Sequence, residues 1–249
     1  MAKLKSLIKI EGTLDGMTFY KGKNGYLVRT KGGISKSRIE NDPAFVRTRE
    51  NGTEFGSIAK SGKLLRQTLT PMLVDIKDPT VTARLMKVMG QVKNTDTSST
   101  RGNRNVATGL ATPEGKTSLR GFDFNSGANL NSVLLADYEL DLITGAINIP
   151  TLLPKQQISA PSGATHVSFT AGVALLNFEL NQKELQFSSE INLPLNNTVT
   201  TVTAIPPSVP TGSGQTLFLF KMSFYQEING VQYALNNGAF NVLHILEII

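Results

Sequence analysis

The apolar residues of this chain change their spacing from one end to the other. Over the first 35 residues they alternate: Met17-Thr-Phe-Tyr20 and Tyr26-Leu-Val-Arg29 carry the period of two that suits half-buried strands. Lys21-Gly-Lys-Asn-Gly25 between them supplies the Gly and Asn-Gly residues that accept the positive φ of a turn, so the pattern predicts a hairpin. The first twelve residues also read as an alternating strand. Lys9 and Glu11 interrupt the apolar stretch before it reaches signal-peptide length, which leads to an expectation of cytoplasmic synthesis without a signal peptide. Two strands alone are marginal in water, so the hairpin is expected to dock on the rest of the chain or on a neighbouring subunit.

The period then becomes helical. Asp42-Pro43 and Asp78-Pro79 each offer a carboxylate at an N-cap and a proline at the first helical position, and they predict two helix starts. After the second, Val81, Leu85, Val88 and Val92 fall at i, i+4, i+7 and i+11, one stripe facing a core. The first segment, roughly 43 to 70, carries Phe45, Phe55, Ile58, Leu65 and Leu69, together with Gly52, Gly56, Ala59 and Gly62. Each glycine costs a helix about 1 kcal/mol against alanine. These small residues therefore point to close approach of another backbone, the reading adopted, or to breaks into shorter pieces. Pro71 ends or kinks the segment.

Residues 94–117 are polar and glycine-bearing and read as a linker. Beyond it the period returns to two, over 118–124, 132–143, 146–152, 166–178, 185–193, 198–205, 216–225, 231–235 and 239–249, separated by Asn-Ser-Gly, Thr-Gly, Pro-Ser-Gly, Asn-Asn, Pro-Pro and Asn-Gly. Short strands at this spacing predict an antiparallel β-sandwich, Ig-like or jelly-roll-like, with the strand order left open. The last strand is apolar on both faces and should be covered on both.

Charge divides along the same line. Residues 1–120 hold 22 Lys+Arg against 10 Asp+Glu, a net of +12, whereas residues 121–249 hold 3 against 9, a net of −6. Such a split gives the basic part an anionic partner, either nucleic acid or the acidic part of another copy. Cysteine is absent, which excludes disulfides, thiolate nucleophiles and cysteine-ligated zinc, and the two histidines leave little for a His-rich metal site. No run of apolar residues is long enough to span a membrane.

The candidate chemistry is sparse. Asp137, Glu139 and Asp141 share one strand face, where calcium ligation and a solvated face compete, and the solvated face is preferred. Thr211-Gly-Ser-Gly-Gln-Thr216 lacks the lysine and following helix of a phosphate loop and is read as a plain loop. His166 and His244 are read as structural histidines. No hydrolase elbow, zinc-protease or dinucleotide fingerprint is present, so the expectation is a protein that is not an enzyme and uses no cofactor or metal. The basic residues Lys21, Lys23, Arg29, Lys31, Lys36, Arg38, Arg47 and Arg49 are the candidate contacts to a subunit or anionic partner. Lys3, Lys5, Lys9, Lys60, Lys63, Arg66, Arg101 and Arg104 extend the set, and Tyr20 or Tyr26 offers a ring for a base to stack on.

Through Gly16-Met-Thr-Phe-Tyr20, Gly25-Tyr-Leu-Val-Arg29, Asn41-Asp-Pro-Ala-Phe45 and Arg47-Thr-Arg-Glu-Asn51 the chain resembles a group of uncharacterised Bacteroidota proteins with a basic glycine-rich hairpin, a helical middle and a β-rich C-terminal part. The resemblance covers mainly residues 10 to 70. It implies no activity and no functional residue, only that the N-terminal module is the shared working part. At the level of fold, the plan is also similar to capsid, tube and fibre subunits.

The sequence thus leads to an α+β protein: a hairpin-and-helix assembly module at 1–93, a linker at 94–117 and an acidic β-sandwich at 118–249. Its expected role is structural self-assembly into a shell, tube or filament, with the basic arm of one copy docking on the next and the protein itself as partner. The alternative is a nucleic-acid-binding or packaging protein, phage-derived in origin. A third reading, a carbohydrate-binding sandwich, ranks last because the C-terminal aromatics alternate as core residues do. No membrane partner is expected.

Overall fold

The computed structural model describes residues 2–3, 8–23, 25–30 and 33–249, the side chains of 2–3 and 236–237 excepted. It divides into two compact units, Met1–Arg49 and Glu50–Ile249. Lys5 and Lys31 lie outside the described residues.

In the first unit, strands β1 (Ala2–Lys3), β2 (Gly12–Leu14), β3 (Met17–Gly22) and β4 (Gly25–Thr30) form an antiparallel sheet in the order β1-β4-β3-β2. The predicted hairpin is β3–β4, with Phe19 opposite Val28 and Gly22 opposite Gly25. A second hairpin, not anticipated, joins β2 to β3. Asp15 and Gly16 both take positive φ, 45° and 75°, the mirror-image turn whose twist matches that of the flanking strands. Residues 8–11 are not strand. Helix α1 (Lys36–Asn41) starts at Ser35, whose side chain accepts from the Arg38 N–H at 3.2 Å. Asp42 accepts from the Ala44 N–H at 2.9 Å and opens a 3-10 turn, Pro43–Phe45, leading into α2 (Val46–Thr68), as Asp42-Pro43 predicts.

The second unit begins within α2, which runs unbroken through Gly52, Gly56 and Gly62 until Pro71 turns the chain into α3 (Thr70–Leu73). Helix α4 (Val81–Asn94) starts two residues later than its Asp-Pro signature suggests. Thr80 is its N-cap, and Asp78 instead orders the turn before it, accepting from the Thr80 N–H and hydroxyl at 2.6 Å.

The expected linker is folded. Asn105 caps α5 (Val106–Leu110), Thr112 caps α6 (Pro113–Leu119), and Val106, Leu110 and Leu119 are fully buried. Polar composition misleads here because the polar side chains cap helices and bind one buried carboxylate. Asp96 accepts from the Ser98, Ser99 and Asn105 N–H groups at 3.0 to 3.2 Å. The boundary near 117 is therefore not a break, and residues 50–249 form one body.

Asn129 caps α7 (Leu130–Val133), where strand was expected; β5 (Glu139–Leu140), β6 (Ile147–Leu152), α8 (Pro154–Gln157), β7 (His166–Asn177), β8 (Gln182–Phe187), β9 (Ile191–Pro194), β10 (Thr200–Ala204), β11 (Gln215–Ile228), β12 (Val231–Ala234) and β13 (Val242–Ile248) follow. All the strand pairs are antiparallel. One sheet has the order β12-β11-β7-β8, with β13 also on β11 and β9 also on β7; the other is β10-β6-β5. The chain is thus α+β.

The large sheet is covered on both faces. Ala174, Leu176, Leu217, Leu219, Leu243 and Ile245 pack against Leu65, Leu69, Leu85, Met89, Val92 and Leu110 of the helices. Val167, Phe169, Phe220, Met222, Phe224 and Val242 pack against Ile147, Ile149, Leu152 and Val202 of the small sheet. Two sheets do share a core, as a sandwich requires, but the helical layer makes three layers rather than an Ig or jelly-roll pair. It also explains the doubly apolar β13, which lies between helices and small sheet within one chain. No helix among the described residues is long and apolar enough to cross a membrane.

Candidate functional site

The N-terminal sheet is the most unusual surface of the molecule, because none of the described residues 8–49 is buried. Direct pairing in an antiparallel ladder places partners on one face. Leu14 pairs with Met17, Phe19 with Val28 and Lys21 with Tyr26, so these six side chains share a face that is apolar apart from Lys21. Thr13, Thr18, Tyr20, Leu27 and Arg29 occupy the other, and Thr13 and Thr18 bring their hydroxyls to 3.3 Å. Leu14 is 58% and Met17 43% exposed.

The predicted cations have different environments. Lys21, Lys23 and Arg47 are exposed and make no ion pair among the described residues. The Arg29 guanidinium lies 5.5 Å from the centre of the Tyr20 ring, and the Lys9 ammonium 5.4 Å from that of Tyr26. Tyr20 and Tyr26 sit on opposite faces, so the pleat does not assemble them into one stacking platform. Lys36 lies 3.6 Å from Glu40 on an exposed helix turn, a pair of little energetic consequence. Arg38 pairs with Asp42 at 3.1 Å, and Arg49 donates to the carbonyls of Ile39 and Asp42 at 2.7 and 3.0 Å, which ties α1 to the start of α2. The Ala44 N–H first, then Arg38, hold the Asp42 carboxyl below the usual carboxylate range. Arg38 and Arg49 are therefore structural in this unit, whereas Lys21 and Lys23 remain available.

The small-residue stripe on α2 does not mark close packing. A side chain at Gly52 or Gly56 would meet nothing within 4 Å, Ala59 is half-buried, and only Gly62 faces α4, with Met86 and Leu85 at ordinary distance. Within the helices, the glycines that close approach requires are Gly109 and Gly115. A Cβ would stand 2.1 Å from the Val92 carbonyl oxygen at the first and 2.0 Å from the Gly109 carbonyl oxygen at the second. Sequence reading missed both because they lie in the polar stretch taken as a linker.

Elsewhere, Asp137, Glu139 and Asp141 are exposed while Tyr138 and Leu140 turn into the core. Asp141 closes a turn, accepting from the Thr144 hydroxyl at 2.6 Å and the Ile143 N–H at 2.8 Å, and those bonds lower its pKa. Burial, and secondarily Asp123, push the Tyr138 phenol up. His244 Nδ1 lies 2.7 Å from Asp123 Oδ1, which also accepts from the Leu130 N–H, and His166 lies 3.5 Å from Glu227. A cavity of about 500 Å³ is lined by Arg84, Lys87, Arg120, Phe122 and Asp123. Two of its cations are already neutralised, Arg84 by Asp78 and Arg120 by Glu247, both at 2.5 Å, so the cavity is not a strong anion site.

No family model, curated protein or solved structure matches this chain.

Proposed function

We propose that this is a non-enzymatic structural protein that assembles with copies of itself, the N-terminal sheet of one copy docking on another. One observation carries the reading: a four-stranded sheet in which no described side chain is fully buried, with Leu14 and Met17 exposed and Phe19, Tyr26 and Val28 half-buried on one face. A sheet gains stability by burying one face, and among the described residues this one completes no buried core of its own. Its charge selects the cover. Residues 1–49 hold 11 Lys+Arg against 4 Asp+Glu, a net of +7, so like faces repel and an acidic acceptor is favoured. Contacts between different surfaces run head to tail and generate rings or filaments, the shells, tubes and fibres of the sequence reading.

Light scattering and negative-stain electron microscopy of the full chain and of a chain lacking residues 1–35 test this. The full chain is expected to form regular assemblies and the truncated chain to be monomeric; equal assembly by both overturns the arm mechanism.

A second reading, nucleic-acid binding or packaging, is favoured by the exposed Lys21, Lys23 and Arg47. It predicts a purified protein whose high 260/280 nm absorbance ratio falls after nuclease treatment, and a protein-like ratio excludes it. The opposed placement of Tyr20 and Tyr26 favours assembly over base stacking.

A further inference from the structure

Resting on the assembly reading, we infer that the acceptor for the apolar face of the N-terminal sheet is the 135–143 segment of a second copy of this chain. Three observations select that segment. Leu135, Leu142 and Ile143 are exposed, Ile143 to 87%, an unusual concentration of aliphatic side chains in solvent. Asp137 and Glu139 stand beside them, exposed and without an ion pair among the described residues. The stretch 121–154 contains no Lys or Arg at all, so these carboxylates have no cation close to them in sequence.

Other surfaces fit less well. Leu180 and Phe187 are exposed near Glu179 and Glu184, but Lys183 lies among them; Ile228, Val231 and Tyr233 have only Glu227 close in sequence. The 135–143 segment matches the N-terminal face in both respects, aliphatic against aliphatic and carboxylate against ammonium. Burial alternates along this segment into β5: Leu134, Ala136, Tyr138 and Leu140 turn toward the small-sheet core, and Leu135, Asp137 and Glu139 are exposed. β5 is the last strand in the order β10-β6-β5, and no further strand lies beside it among the described residues.

The pleat makes the assignment specific. Lys21 shares the apolar face with Phe19 and Tyr26, and Lys23 follows at the hairpin tip, so these two lysines meet Asp137 and Glu139. Arg29 lies on the opposite face, over Tyr20, and takes no part.

The test uses the full chain throughout, with circular dichroism to confirm that each variant folds. A photo-cross-linking amino acid is placed at Phe19, and this protein is mixed with isotope-labelled wild type at low ionic strength before irradiation and peptide mass spectrometry. Cross-links should join the 19 position to labelled peptides spanning 135–143. The double variants K21E/K23E and D137K/E139K should each weaken assembly about tenfold or more, the four changes combined should restore it, and R29E should leave it unchanged. Assembly that is indifferent to both double variants, cross-links to another segment, cross-links confined to unlabelled same-copy peptides, or an R29E loss equal to that of K21E/K23E would each overturn this acceptor while leaving arm-mediated assembly standing. A wild-type protein that is monomeric at every concentration overturns the assembly reading and this inference together.

Discussion

Glu54 shows how a charged residue becomes part of a core. It is buried on α2, its Oε1 accepts from the Gly102 N–H at 2.9 Å and Arg104 Nε at 2.8 Å, and its Oε2 accepts from Lys93 Nζ at 2.6 Å and Arg104 Nη2 at 2.9 Å. Every acceptor position is occupied by a donor, chiefly the Arg104 fork, which outweighs burial and lowers the Glu54 pKa from 4.5 to about 2. Replacing Glu54 by Ala leaves Lys93 buried without its counter-charge and should destabilise the body by about 3 to 5 kcal/mol, measured by urea denaturation at neutral pH. Because the folded pKa is depressed, this stabilisation is complete above pH 4.5 and lost as pH falls toward 2. Asp96 behaves alike: burial raises its pKa, but the Ser99, Asn105 and Ser98 bonds prevail and lower it from 3.8 to about 2. Thermal melts should therefore fall between pH 4.5 and 2, and E54Q should flatten that fall; an unchanged profile in E54Q would mean that other carboxylates govern acid unfolding.

The helices and strands divide into those whose signal is local and those whose signal comes from a neighbour. Helix α4 shows its stripe openly, since Leu85 and Val92 are buried and Val81 and Val88 pack against the same core. The α5–α6 region shows nothing comparable, because its fit depends on backbone atoms meeting: Thr95 donates its hydroxyl to the Val92 and Gly109 carbonyls at 2.7 and 3.1 Å, and Gly109 leaves room for both. Two glycine substitutions separate these cases. G109A drives a Cβ into the Val92 carbonyl and should cost about 3 kcal/mol or prevent folding. G56A meets open space in an unbroken helix and should stabilise by up to about 1 kcal/mol, the reverse of what close packing at Gly56 predicts. Paired denaturation curves of the two variants decide between the placements.

Over the whole molecule, stability is divided unequally. Every described residue of both hydrophobic cores lies within residues 50–249. Deleting residues 1–35 should accordingly leave the main thermal transition of the unassembled body in place, within about 2 °C, while abolishing assembly; a collapse of that transition would show that the arm is needed for folding. Sequence alone was enough for the α+β class, the β3–β4 hairpin, the Asp42 helix start, the core stripe of α4 and the long strands β7, β11 and β13, because each is specified by periods and caps acting within a few residues. It was enough, too, for the basic character of the N-terminal region, although the pleat then separated Lys21 from Arg29 and Tyr20 from Tyr26. Only the tertiary structure decided that residues 94–117 are folded, that the helical glycines in close approach are Gly109 and Gly115 rather than Gly52 and Gly56, and that a helical layer joins the two sheets in one body. Those features arise from atoms distant in sequence competing for the same space, and a local pattern of polar and apolar residues carries no record of which distant backbone will approach.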